Sequence, residues 1–461
     1  MSNFTEITPS ILENLSAIVG ANNISTGESE LNLHSHDQGF HTPHLPEVVV
    51  WAETAQQVAD ILKLANEYTI PVTAWGAGSS LEGNPIPVHG GILLSLVKMD
   101  AIVEVHADDF QVTVQSGKPH KDLNHDLARY GLFFPPDPGA NATIGGMLAN
   151  NAAGIRTVKY GASKDNVLSM QVALADGRLI RVGSRSIKQS AGYNLLQLFV
   201  GSEGTLGIIT EATLKLAPVP QFRTTMVASF ETVEDAVESV VAIRGSGIDV
   251  AALEFLDAMA TNLLIRSGID IQANPSLLME VHNAHSEAMN ADTAVVREIC
   301  EEMNSASFIS FSDPTKQHQL WEARHSAYET LVRNNPDTKF QVMDVAVPIS
   351  KYPEIVAFGR EQLDKYDIMA ALIGHAGDGN IHLTIPYKDE AGLDNVKAIN
   401  SAIVHKAIEL GGTSTGEHGV GLGKKAYMQD EHGTALAVMR TLKQSLDPNN
   451  ILNPSKVIPD A

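Results

Sequence analysis

Apolar and polar positions change along the chain with periods that predict a mixture of helices and strands. Val48–Trp51 is a continuous apolar run, typical of a buried strand. Thr54 and Gln57 follow with the spacing of a capping box, and the apolar positions between 58 and 65 form one face of a helix. Alternation over 70–74 then predicts a second strand. The chain therefore opens with a strand–helix–strand unit, as in α/β and α+β proteins.

The same patterns predict further elements downstream. A helix is expected from Pro119 to Tyr130, with proline at its start and a glycine directly after it. Thr232 to Arg244 is an amphipathic helix that ends at Gly245. A strand is expected over Gln341 to Pro348, and a hairpin over Ala370 to Pro386.

Three glycine-rich segments interrupt these elements: Trp75–Gly83, Asp137–Gly154 and Gly201–Thr210. Glycine at the end of a strand lets the backbone approach a ligand closely, and successive N–H groups there can surround a diphosphate. The first segment lacks the Rossmann spacing because Gly83 comes too late. Together the segments predict a site for a long, flat ligand that lies against the backbone.

The three segments resemble the FAD-binding domain of the vanillyl-alcohol oxidase / p-cresol methylhydroxylase superfamily. Within it, the FAD-linked D-lactate dehydrogenases and their glycolate-oxidase relatives are the most similar family, from about Thr42 to Pro459. The resemblance implies an α+β fold, with a two-subdomain FAD-binding domain, an antiparallel-sheet cap domain and a short C-terminal helical segment. The expected domains are an N-terminal segment (1–41), the FAD-binding domain (42–219), the cap with the metal site (220–429) and a C-terminal segment (430–461) that returns to the FAD domain.

The resemblance also implies which residues bind FAD. Members that tether FAD covalently use a histidine in the first loop, where this chain has serines, so we expect non-covalent FAD. The residues expected to bind the diphosphate are Gly76, Ala77, Gly78, Ser79 and Ser80. Those expected at the flavin and adenine ends are Pro138, Thr143, Gly146, Asn150, Gly154, Gly204 and Ile209, and the cofactor-binding set also includes Gly139, Gly145, Asn151 and Asn453.

Histidines and one glutamate indicate a metal site. His375 and His382 flank a glycine-containing turn, so their imidazoles should project near each other from neighbouring strands. A later glycine loop, Gly411–Gly419, carries Glu417 and His418. Two imidazole nitrogens and one carboxylate oxygen suit Zn²⁺, Mn²⁺ or Fe²⁺. The resemblance implies His375, His382 and Glu417 as metal ligands and His418 as general base; an ion-pair role for Glu417 is the alternative.

The charge of the chain limits its partners. Lys and Arg number 32 against 54 Asp and Glu, a net charge of -22 that repels nucleic acid and anionic lipid. An anionic substrate therefore needs a local cation. Leu320–His325 resembles the arginine segment of the family, so Arg324 is the expected anchor for a substrate carboxylate. Tyr328, expected one turn later on the same helix face, would assist, and Asp344 is a weaker supporting candidate.

Composition excludes several other site types. The single cysteine, Cys300, excludes disulfides within the chain and cysteine-ligated iron–sulfur clusters, and we expect it to be a core residue. Neither a secretory signal nor an apolar stretch long enough for a membrane span is visible, so we expect a cytoplasmic protein. For the oligomeric state of the protein, we consider a homodimer.

These features predict an FAD- and divalent-metal-dependent oxidation of a small D-2-hydroxy acid, D-lactate foremost, to the 2-oxo acid. Flavin N5 would take the hydride, and electrons would pass to a quinone, a cytochrome or an electron-transfer flavoprotein rather than to nicotinamide. D-2-Hydroxyglutarate and glycolate are alternative substrates; a second carboxylate would need another cation near Arg324, for which His325 is the candidate. From other classes, a metal-dependent hydrolase and a non-catalytic flavoprotein subunit remain alternatives.

Overall fold

The computed structural model describes residues 4–459 and contains two compact units. Unit 1 holds the residues up to Ala153, those from Gly161 to Val219 and those from Glu417 onward. Unit 2 comprises Gly154–Tyr160 and Pro220–Gly416. The first three residues of the predicted N-terminal segment and the last two of the C-terminal segment lie outside the described residues.

Unit 1 begins with a small sheet in which three strands run parallel. The strand order is β1-β2-β4-β3, with β1 antiparallel at one edge. Thr54 and Gln57 form the predicted capping box, because each side chain accepts a hydrogen bond from the backbone N–H of the other. The predicted strand–helix–strand unit is thus confirmed. The elements of this part are α1 Pro9–Val19, β1 Ile24–Ser25, α2 Glu28–Leu33, β2 Val48–Trp51, α3 Ala55–Tyr68, β3 Val72–Trp75 and β4 Ile92–Ser95.

The second sheet of unit 1 is antiparallel, in the order β5-β6-β10-β8-β9. Helix α4 ends at Leu127, a 3₁₀ turn continues to Tyr130, and Gly131 follows with φ 66°. The predicted helix over this stretch is therefore confirmed with a tighter last turn. The elements are β5 Ile102–His106, β6 Gln111–Gln115, α4 His120–Leu127, β7 Leu132–Phe133, α5 Ile144–Asn150, β8 Val167–Ala173, β9 Leu179–Gly183, α7 Leu195–Phe199, β10 Ile208–Lys215 and β11 Ala217–Pro218. The short helix between α5 and β8, α6 Thr157–Tyr160, belongs to unit 2.

Unit 2 is built on a seven-stranded antiparallel sheet in the order β15-β12-β14-β13-β17-β18-β16. Thr232 caps α8 by accepting a hydrogen bond from Asp235 N, as the predicted start of that helix requires. The elements are β12 Phe222–Phe230, α8 Val233–Gly245, β13 Val250–Leu256, α9 Ala258–Arg266, β14 Ser276–Asn283, α10 Ser286–Glu302, β15 Ser305–Phe311, α11 Pro314–His325, α12 Ala327–Asn334, β16 Lys339–Ala346, α13 Tyr352–Lys365, β17 Ala371–Gly374, β18 Asn380–Tyr387 and α14 Glu390–Glu409.

The last helices, α15 Met428–His432 and α16 Ala435–Leu446, belong to unit 1. Beyond them the chain returns to the first sheet, where Leu452 bridges Val72 in parallel. Cys300 is fully buried in α10, so its predicted core position is confirmed. Among residues 4–459, no helix is both long enough and apolar enough to cross a membrane.

The prediction that Arg324 and Tyr328 share a helix is wrong. Helix α11 ends at His325, and Tyr328 lies on α12, which begins at Ala327. Ser326 separates the two helices, and its hydroxyl donates to the carbonyl of Glu322 at 2.8 Å. A serine that bonds back to a carbonyl in the last turn competes with continuation of the helix.

Candidate active site

The two histidines lie on a hairpin of unit 2. β17 and β18 pair antiparallel with Ile373 opposite His382, and His375 follows β17 directly. The centroids of the two imidazole rings lie 5.2 Å apart, edge to face, which confirms the prediction that the two rings are close together. Gly379 ends the turn with φ 74°, where a Cβ would lie 2.1 Å from the carbonyl oxygen of Val347. Only glycine fits this turn, and the turn sets the spacing of the histidines.

His375, His382 and Glu417 form a cluster that suits a divalent ion. Each offers one ligand atom, and these atoms lie within 4.8 Å of one another. Glu417 directly follows Gly416, the last residue of unit 2. Ligand atoms about 2.0–2.2 Å from one tetrahedral ion lie about 3.3–3.6 Å apart, so binding would draw these side chains together by no more than about 1.5 Å. The nitrogen and oxygen donors match the preference of Zn²⁺, Mn²⁺ or Fe²⁺.

Each histidine of the cluster contacts a carboxylate that has no exposed surface. Glu254 Oε1 lies 2.6 Å from His375 Nδ1, and Asp344 Oδ1 lies 3.7 Å from His382 Nδ1. Asn380 Nδ2 also donates to Asp344, at 2.6 Å. Carboxylates behind ligating histidines commonly fix the ring orientation and make the imidazole a better ligand.

Arg324 and His375 both contact Glu254. Its Nε and Nη2 donate to Glu254 Oε2 at 2.9 and 2.5 Å, and the arginine side chain is only 12% exposed. Burial alone would raise the pKa of Glu254, but its interactions with His375 and Arg324 outweigh the effect of burial and lower that pKa. One carboxylate thus joins the predicted metal ligand His375 to Arg324, the predicted carboxylate anchor.

Glu254 was not identified from the sequence. It is the only charged residue of β13, whose residues are all buried. A lone charge within an apolar strand signals a buried group that must find partners, since an unpaired buried charge is costly. That signal indicates a partnered glutamate, but it does not name the partners.

A second buried glutamate lies on the neighbouring strand β14. Glu280 accepts from His282 Nε2 and from Trp321 Nε1, both at 2.7 Å, and Arg156 Nη2 lies 3.6 Å away. Tyr160 OH lies 2.8 Å from His282 Nδ1 and completes the network. Burial alone would raise the pKa of Glu280, but these partners hold it at about 2. This network was also absent from the sequence-based predictions.

In unit 1, the three glycine-rich segments come together. Gly76 follows β3 and packs so closely on Thr143 that a Cβ there would lie 2.4 Å from the threonine Oγ1. Thr143 caps α5 by accepting from Gly146 N. The third segment meets the end of that helix, since Gly201 N donates to Leu148 O at 3.0 Å. Close backbone approach of small residues after a strand fits the diphosphate of FAD.

The other predicted FAD residues occupy varied positions. Ile209 is 5% exposed within the core of the second sheet, Gly139 is exposed, and Gly154 belongs to the segment grouped with unit 2. Asn150 Nδ2 donates to the carbonyl of His418 at 3.2 Å, so α5 contacts the loop of the predicted base. Asn151 ends α5 in the left-handed conformation.

Glu203 and Asn453 fasten the loop that follows His418. Glu203 accepts from Val420 N at 2.6 Å and from Gly421 N at 2.9 Å. Asn453 Nδ2 in turn donates to the backbone carbonyl of Glu203 at 2.9 Å. Burial raises the pKa of Glu203 although these backbone bonds oppose it. Glu203 was not predicted, because the backbone donors Val420 and Gly421 lie more than two hundred positions further along the chain.

Family models match both parts of the chain. The model described as FAD binding domain matches residues 46–183, and that described as FAD linked oxidases, C-terminal domain, matches residues 219–457. The chain therefore belongs to the FAD-linked oxidase family. The predicted FAD-linked oxidoreductase is confirmed, and the hydrolase alternative does not account for the flavin-domain match.

Curated relatives agree with this family, and a solved structure has a similar fold. The chain is 38% identical to "Probable D-lactate dehydrogenase, mitochondrial" of Danio rerio, covering 97% of this chain and 91% of the relative. It is 36% identical to "D-lactate dehydrogenase [cytochrome], mitochondrial" of Arabidopsis thaliana, covering 99% and 81%. A solved structure of p-cresol methylhydroxylase with substrate bound matches with a TM-score of 0.81 and 18% identity, covering 97% and 96%. The predicted fold is thereby confirmed.

Proposed function

We propose that this enzyme oxidises a small D-2-hydroxy monocarboxylate, D-lactate foremost, to the 2-oxo acid. The observation that carries the proposal is Glu254, which joins His375 of the metal cluster to Arg324. A hydroxy acid needs one group for its hydroxyl and one for its carboxylate, close together. The names of the Danio rerio and Arabidopsis thaliana relatives support D-lactate as the first substrate to test.

Different residues would act on different groups of the substrate. When bound, FAD accepts the two electrons and a divalent ion at His375, His382 and Glu417 polarises the hydroxyl. His418 takes the hydroxyl proton as the general base, because a neutral imidazole accepts protons near neutral pH. Arg324 binds the substrate carboxylate with donors that do not contact Glu254.

Two features of unit 2 favour a monocarboxylate over D-2-hydroxyglutarate. His325 Nδ1 lies 2.7 Å from the carbonyl of Trp321, and Arg156 lies beside Glu280. Each of these two side chains thus already has a partner, which disfavours its use for a second substrate carboxylate. Tyr328 keeps its proton, since burial raises its pKa, and would act as a neutral donor.

Electrons would then leave to a cytochrome, the acceptor printed in the name of the Arabidopsis thaliana relative. A panel of D-lactate, glycolate and D-2-hydroxyglutarate tests the substrate, with cytochrome c and a quinone analogue as acceptors. We expect the highest kcat/KM for D-lactate and turnover with cytochrome c. If kcat/KM for glycolate or D-2-hydroxyglutarate is at least about tenfold higher than for D-lactate, that acid is the substrate instead. A tenfold difference corresponds to about 1.4 kcal/mol in activation free energy.

A further inference from the structure

We propose that Glu254 is a positioning residue that sets both the metal-binding tautomer of His375 and the orientation of Arg324. This inference rests on the proposed function only in taking His375 as a metal ligand. Glu254 has no exposed surface, and its two oxygens have different partners: Oε1 meets His375 and Oε2 meets Arg324.

The first consequence concerns the proton of His375. Two donors of Arg324 converge on Glu254 Oε2, which is the arrangement of an arginine paired with an ionised carboxylate. Such a carboxylate only accepts hydrogen bonds, so at 2.6 Å from Glu254 Oε1 the Nδ1 atom of His375 must carry the hydrogen. In a neutral imidazole the lone pair then lies on Nε2. Glu254 therefore selects Nε2 as the atom that binds the metal, and hydrogen bonds of this kind strengthen a histidine ligand.

The second consequence concerns Arg324. Two of the five guanidinium N–H groups, on Nε and Nη2, are directed to Glu254 Oε2. This pair fixes the plane of the guanidinium, and the remaining donors are then held in one orientation. Because one carboxylate serves both partners, a change at position 254 should alter metal affinity and carboxylate binding together.

Glu280 offers a matched control. It is equally buried, lies on the adjacent strand β14 and faces helix α11 through Trp321, as Glu254 does through Arg324. Its histidine partner, His282, is not part of the metal cluster. Loss of charge at either glutamate should destabilise unit 2, but only its loss at Glu254 should lower the affinity for the metal.

The experiment compares Glu254→Gln and Glu280→Gln in the FAD-loaded enzyme after removal of metal by a chelator. In Glu254→Gln the amide oxygen must face Arg324, which only donates, so the NH₂ group faces His375 Nδ1. That arrangement moves the imidazole proton to Nε2, where it competes with the metal. Mn²⁺ titration, followed by the electron paramagnetic resonance signal of free Mn²⁺, should show affinity lowered about 10- to 100-fold.

The control and a second variant make the test decisive. Glu280→Gln should bind Mn²⁺ within about twofold of the wild type, and Glu254→Gln should also raise KM for D-lactate. If Glu254→Gln does not fold, Glu254→Asp is titrated instead; its shorter side chain cannot span both partners, so the same loss is expected. Affinity within about twofold of wild type in a folded variant at position 254 overturns the inference, and so does an equal loss in Glu280→Gln.

The outcome separates this inference from the proposed function. A wild-type enzyme that binds Mn²⁺ but leaves D-lactate unchanged contradicts the proposed substrate, while the Mn²⁺ titration still measures the role of Glu254. Conversely, unaltered Mn²⁺ binding in Glu254→Gln removes the positioning role, while D-lactate oxidation by the wild type stands.

Discussion

Replacement of Arg324 by lysine keeps the positive charge but removes the planar fork of donors. Arg324 uses Nε and Nη2 for Glu254 and has three further N–H groups for the substrate. A lysine ammonium carries its donors on one nitrogen, so it cannot hold Glu254 and a substrate carboxylate in the same geometry. A hydrogen bond to a charged group contributes about 1.5–3 kcal/mol, so kcat/KM for D-lactate should fall about 10- to 150-fold.

The assay compares D-lactate with D-lactamide, which has the same hydroxyl but no carboxylate, using a dye as acceptor. We expect Arg324→Lys to change kcat/KM for the amide by no more than about threefold, and Arg156→Lys, a control at the other arginine–glutamate contact, to leave both substrates within that range. Equal losses for acid and amide would refute the anchor, because they would show that Arg324 acts only by holding Glu254. An unchanged kcat/KM for D-lactate would refute it as well.

Three further predictions concern the cofactors and the buried charges. Gly76→Val places a Cβ against Thr143 Oγ1, so the purified variant should have lost most of its FAD by absorbance, whereas Gly245→Ala, with open space around it, should keep it. Chelation of the metal should abolish D-lactate oxidation without releasing FAD, and Zn²⁺, Mn²⁺ or Fe²⁺ should restore it; full activity of metal-free enzyme would contradict the metal site. The pKa of Glu280, about 2, lies below its ordinary 4.5, so ionised Glu280 stabilises the fold above pH 4.5 by about 3 kcal/mol, and this is lost as the pH falls towards 2. Hydrogen exchange of β14 should show a protection difference between wild type and Glu280→Gln that shrinks on acidification; a constant difference would contradict the low pKa.

Local patterns in the sequence predicted the elements that carry the site. The capping box of Thr54 and Gln57 and the hairpin of His375 and His382 depend on residues close together in the chain, and both are confirmed. The prediction that one helix carries both Arg324 and Tyr328 was wrong, because the hydroxyl of Ser326, which lies between them, donates a hydrogen bond to the preceding turn. The periodicity of apolar residues alone does not reveal such a break between two helices.

The buried glutamates could not be predicted in the same way. Glu254 and His375 are 121 positions apart, and Glu280 and Trp321 are 41 apart, so the fold rather than any local pattern brings each pair together. The family resemblance pointed to the metal cluster and the arginine, but not to the carboxylate between them. In physical terms, the missing information was which strand lies beside which in the antiparallel sheet.

Reduction of the bound flavin under anaerobic conditions tests the central claim most directly. The purified, metal-loaded enzyme is mixed with D-lactate or L-lactate, and the absorbance of the oxidised flavin is followed in a stopped-flow instrument. We predict complete bleaching by D-lactate, little or none by L-lactate, and a large loss of rate in His418→Asn. Equal bleaching by both enantiomers, or none by D-lactate, would contradict the account.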